Sequence, residues 1–164
     1  MAFLASVDIP VPVYVQKYLL KRYGKDHKVS KNSAIGIMII QLATKYYMKP
    51  VKKAPEGQVF YSLAVTEYYY NQKVFRITKT KLKLLSKLLV KLFYEDLVNC
   101  AHRDVALKKV SEDNKFATAK ASIKQFLDFY EITENDLRLE TAYMEYQRKK
   151  PKKIKVSKNQ IASF

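Results

Sequence analysis

The chain has 164 residues, of which 31 are Lys or Arg and 15 are Asp or Glu, for a formal net charge of +16. One cysteine excludes an intramolecular disulfide framework, and no apolar run approaches the ~20 residues that span a bilayer. Hydrophobic residues make up 48% of the chain, enough to fill the core of one domain and unlike a disordered composition.

The first residues, Met1 to Ala5, lack the basic region of a signal peptide and meet Asp8 and Pro10 early, so a cytoplasmic location is expected. Phe3 to Ile9 can form a short strand, closed by the extended Pro10-Val11-Pro12 step. From Val13 to Tyr23 the pattern turns helical, with Tyr14 and Tyr18 inward, Lys17, Lys21 and Arg22 outward, and Gly24 as the stop. Residues 25–32 read as a polar loop, after which Ser30 or Ser33 caps a helix from Ala34 to Met48. That helix is apolar nearly all round, so it should be the buried one, and Gly36 implies a close neighbour.

Pro50 to Gly57 is a connector ending in a Pro55-Glu56-Gly57 turn. Val59 to Tyr69 and Lys73 to Ile77 read as the arms of a β-hairpin with Asn71-Gln72 at the tip. A long helix then follows Thr78 or Thr80, with Leu82, Leu85, Leu88, Leu89, Leu92, Phe93 and Val98 inward, and runs to about Lys109. Beyond a polar break at Ser111 to Asn114, two more helices are expected, Ala117–Tyr130 and Glu134–Lys149, the second capped by Thr133. The expected fold is α+β, a small antiparallel sheet of N-terminal strand plus hairpin packed by four or five helices. Residues 1–148 form one domain, helical over 111–148, and 149–164 form a basic tail.

Charge is distributed unevenly along these elements. Residues 1–57 hold ten basic side chains against three acidic ones, and 58–110 hold ten against four. Residues 111–148 reverse the sign, five against eight, and the final stretch carries six Lys and no acid. Within the long helix, Lys79, Lys83, Lys87 and Lys91 recur every four residues and form a stripe, with Lys81 beside it. Like charges at that spacing oppose helix formation by a few tenths of a kcal/mol per pair, so a polyanionic partner is the natural reason for them. The tail lysines, Lys149, Lys150, Lys152, Lys153 and Lys155, follow no amphipathic period and suit a phosphate backbone or an acidic surface. Lys17, Lys21 and Arg22 would extend the surface if the fold brought them alongside. Tyr68, Tyr69 and Tyr70 are candidates for base stacking, although packing is the commoner use of tyrosine.

The helices over 117–130 and 134–149 have the outline of a helix-turn-helix, but a recognition helix should be electropositive and this segment is net acidic. It reads instead as a packing or protein-contact unit. Catalytic chemistry has little support. Cys100, His102 and Asp104 look like a cluster on paper, yet residues two apart on a helix diverge, and no second Cys/His set exists for zinc. No glycine-rich phosphate loop is present among the three isolated glycines. Neither enzyme activity nor a cofactor is expected.

The stretch Phe126 to Leu137, followed by Glu140, Tyr143 and Tyr146-Gln147-Arg148, resembles a pattern in small uncharacterised basic proteins of Bacteroidetes phages and mobile elements. The resemblance covers about 25 residues at the C-terminal side. It implies a phage or mobile-element origin, and with it the host cytoplasm or the virion, without carrying over any functional residue.

Charge and pattern together point to a non-enzymatic protein that binds nucleic acid, DNA before RNA, mainly through phosphate contacts. Two other readings stand beside it: a structural component of a phage particle or similar homo-oligomeric assembly, and a host-directed inhibitor that covers an acidic protein.

Overall fold

The structure is a computed structural model and describes residues 3–25, 27–43, 54–66, 68, 77–108 and 118–149. Strand β1 (Phe3–Pro12) runs through both prolines and meets strand β2 (Gln58–Thr66) in antiparallel register, with Val7 opposite Leu63 and Ile9 opposite Tyr61. The register explains why two prolines are tolerated in a strand. Ala64 directs its backbone away from β1, donating to the His27 carbonyl and accepting from Val29 N–H. Its partner Ser6 therefore belongs to a non-hydrogen-bonded pair, and Pro10 and Pro12 share that parity. Their missing N–H groups face the edge away from β2, where no ladder bond is lost.

One face of this sheet is the floor of the core. Val7, Ile9 and Val11 alternate inward on β1, as do Tyr61, Leu63 and Val65 on β2, while Asp8 and Ser62 face out. The partner of β2 is thus β1, and residues 71–76, the expected hairpin tip and much of its second arm, lie outside the described residues.

Helix α1 (Val13–Tyr23) continues directly from β1 and stops at Gly24, whose φ of +84° suits glycine. Helix α2 (Ala34–Leu42) starts where Ser33 accepts the Gly36 N–H, buries Ile35, Ile39 and Ile40, and ends at Ala43. Residues 44–48, the rest of the helix expected there, lie outside the described residues.

The spine of the molecule is helix α3 (Lys79–Lys108), which touches β1, α1, α2 and both later helices. Thr78 opens it, its hydroxyl accepting from Lys81 N–H. Leu82, Leu85, Leu89, Phe93 and Leu97 are buried along it. Phe93 centres an aromatic cluster, with ring centroids 5.1 Å from Tyr14, 5.4 Å from Tyr18 and 5.8 Å from Phe126. Burying such a ring contributes about 1.5–3 kcal/mol, so this cluster ties together the helices that carry Tyr14, Tyr18, Phe93 and Phe126.

Helix α4 (Ala119–Phe129) is capped by Thr118 and so begins two residues after the expected Ala117. Helix α5 (Leu139–Lys149) begins later than the expected Glu134. Residues 133–137 instead close a single turn, in which Asp136 accepts from the Thr133 N–H and hydroxyl. The Glu134 carboxylate then accepts the Leu139 N–H and caps α5 from outside. With five helices and a two-stranded antiparallel sheet among the described residues, the fold is α+β. No described helix is long and apolar enough to cross a membrane.

Candidate nucleic-acid interface

Lys79, Lys83, Lys87 and Lys91 are all exposed on α3. At 1.5 Å rise per residue they succeed one another every ~6 Å, and at 3.6 residues per turn the row drifts slowly around the helix. Lys91 pairs with Glu95 at 3.6 Å. Lys79, Lys81, Lys83 and Lys87 make no ion pair with any described residue. The first turn of α3 contains no acid, so the positive end of the helix dipole adds to the lysine field.

The row stops where another helix covers it. Tyr94, Val98 and Ala101 continue the same angular sector, and Val98 and Ala101 are buried. Tyr146 of α5 packs on His102 with ring centroids 5.1 Å apart, and Lys149 places Nζ 5.4 Å from the centre of the Tyr94 ring. Two such contacts, in opposite chain order, show that α5 runs antiparallel to α3. Its C-terminal end therefore points toward Lys91 and Lys87. Lys149 joins the row, and burial, reinforced by Tyr14 and Glu145, pushes the Tyr94 hydroxyl far above its ordinary pKa. Lys150, Lys152, Lys153 and Lys155 lie outside the described residues, as do Tyr69 and Tyr70, while Tyr68 is exposed.

The three α1 cations have a different environment. Lys17 Nζ donates to Asp136 at 2.6 Å and to the Glu131 carbonyl at 2.9 Å. Lys21 pairs with the Glu131 carboxylate at 2.9 Å and lies 4.9 Å from the Phe129 ring centre. Arg22 pairs with Asp96, which also accepts from the Tyr18 hydroxyl at 2.5 Å. Burial acts to raise the Asp136 pKa, but the Lys17 ammonium and the Thr133 donors outweigh it and hold the carboxyl below its ordinary range. A hydrogen bond from Lys21 depresses Glu131 in the same direction. Burial lifts Tyr18 to about 12 despite the neighbouring Arg22. These contacts form a clasp that fastens α1 to the turns between α4 and α5 and to Asp96 of α3. The helical pattern places Lys17, Lys21 and Arg22 outward but does not reveal the carboxylates of Asp136, Glu131 and Asp96 that meet them. The signal available was the acid-rich turn itself, Glu131 to Asp136.

Cys100 and His102 face different elements. The His102 ring lies on Tyr146 of α5, with Nε2 buried and without a hydrogen-bond partner among the described residues. Cys100 borders the gap between α3 and α4, within 3.9 Å of Asp104 and 3.6 Å of Arg103. Burial, with Asp104 adding to it, pushes the Cys100 thiol up, the reverse of what activates a nucleophile. Among the described residues no group of three His, Cys, Asp or Glu side chains is placed to hold a metal ion. The chain matches no known protein-family model, no curated protein and no solved structure.

Proposed function

We propose that the protein binds the phosphate backbone of nucleic acid, without catalysis, through Lys79, Lys83, Lys87, Lys91 and Lys149, extended by the tail lysines Lys150, Lys152, Lys153 and Lys155. A phage or mobile-element origin belongs to the same proposal. The observation that carries it is selective neutralisation. Carboxylates meet the cations of α1, whereas most of the α3 row has no anionic partner among the described residues. A row about 18 Å long on one helix, drifting slowly around it, suits the open backbone and ~12 Å major groove of B-form DNA better than the narrow major groove of A-form RNA.

The test is fluorescence anisotropy of labelled duplex and single-stranded DNA and RNA over a salt series, using nuclease-treated protein. Binding should weaken steeply with salt, with a log–log slope of about −0.9 per phosphate contact on duplex DNA. The triple variant Lys83→Glu, Lys87→Glu, Lys91→Glu should lose binding at physiological salt and flatten the residual slope by about 3. Unchanged affinity in that variant would sink the assignment.

A further inference from the structure

A groove of about 760 Å³ lies between α3 and α4. That is within the range of roughly 300–1,000 Å³ typical of small-molecule sites. On the α3 side, at ~100° per residue, Asn99 and Arg103 are turned roughly opposite Lys83. The groove is therefore separate from the lysine row, and its occupancy does not depend on that row binding anything.

Its two walls differ in chemistry. The α4 wall is aromatic, with Phe126 and Phe129 packed on Tyr130 at ring-centroid distances of 4.8 and 4.9 Å. Phe129 is 60% exposed, so part of its ring is open to a ligand. The α3 wall is polar, and its charges cancel: Asp104 meets Arg103 at 3.5 Å, and Asp96 meets Arg22. Lys21 Nζ, 4.9 Å from the Phe129 ring centre, is in turn paired with Glu131, so a phosphate or an ammonium group finds little net field to draw it in. Two of its polar side chains are amides that can pair with a ligand edge. Asn99 from α3 and Gln125 from α4 are exposed on the groove, and neither side chain has a hydrogen bond to a described residue.

A neutral planar ring with a hydrogen-bonding edge matches all of these features. We propose that the groove binds a nucleobase, its face on Phe129 and its edge toward Asn99 and Gln125. A carboxamide presents a donor beside an acceptor, as the edge of a base does, and an exposed aromatic ring supplies the stacking face. The base can belong to a free nucleoside or to an unpaired position in a single strand, because both offer the same chemistry to the groove.

The experiment uses the full chain labelled with nitrogen-15 and titrates the four ribonucleosides and, separately, a short single-stranded oligonucleotide. Nucleosides carry no phosphate, so the lysine row contributes nothing to that arm. The Asn99 and Gln125 side-chain amide resonances should shift saturably. Phe129→Ala should weaken binding at least about fivefold, in line with the ~1–3 kcal/mol per base found for stacking on an aromatic side chain. Asn99→Ala with Gln125→Ala should change which base is preferred. All these positions are exposed, so the variants are expected to fold. A response confined to the oligonucleotide, and sensitive to Phe129→Ala, identifies a base within a strand as the occupant. If no probe shifts those amides, or if Phe129→Ala changes no affinity, the proposal is wrong.

Discussion

Gly36 shows tertiary structure overruling local preference at a single residue. In a helix interior alanine is better than glycine by about 1 kcal/mol, so propensity alone favours Gly36→Ala. A β-carbon at this position would sit 2.0 Å from the Ser30 carbonyl oxygen and 2.6 Å from the Ser30 nitrogen. Both are backbone atoms and cannot swing aside as a side chain would. Gly36→Ala should therefore cost about 1–3 kcal/mol in urea denaturation, and a net gain would mean that the loop before α2 yields freely. The need for a small residue was legible in the sequence, because glycine inside an apolar helix usually marks a close approach. The neighbour was not legible, since nothing in the pattern near Ser30 announces contact with a residue six positions on. Glu134 was misread for a related reason. An acid after Thr133 looks like the first turn of a helix, whereas here it caps a helix that starts at Leu139.

At the level of elements, α3 was the most legible because its cap and its long apolar period agree. Which of its sides meets which neighbour was not. The sector that exposes lysines in the first half is covered by α5 in the second, and only the three-dimensional arrangement locates that change at Tyr94. The sheet was half legible. Residues 3–9 and 59–66 carry strand patterns, but a pattern names no partner, and the observed β1–β2 pairing spans two described helices. Helix α5 supplies a prediction at this scale. Removing its external cap by Glu134→Ala should cost about 0.5–2 kcal/mol, seen as a lower midpoint in thermal circular dichroism. Glu134→Gln keeps an acceptor oxygen and should recover part of the loss. Equal stability of all three proteins would show that the Leu139 N–H is satisfied by solvent.

Across the whole molecule, the clasp of Lys17, Lys21 and Arg22 with Asp136, Glu131 and Asp96 makes stability sensitive to acid. Asp136 and Glu131 have folded pKa values below their unfolded ones. Their contribution is complete above the ordinary carboxylate range and disappears as pH falls through the depressed values, below about 4. Asp136→Asn should lower stability at neutral pH by about 1 kcal/mol and soften the fall below pH 4, as measured by urea midpoints across pH. A parallel pH profile for the two proteins would remove Asp136 from the acid response. The uneven charge along the chain was legible, but its sorting into paired and unpaired cations depends on which elements meet. The same clasp bears on how the chain is made, since Lys17 and Asp136 are 119 positions apart. At a synthesis rate of roughly 5–20 residues per second, α1 waits on the order of ten seconds for its partner to be polymerised. During that interval Val15, Tyr18 and Leu19 lack much of their final cover. The nascent chain should be most vulnerable to aggregation and proteolysis during that delay, and a chaperone that shields α1 would raise the yield of native protein.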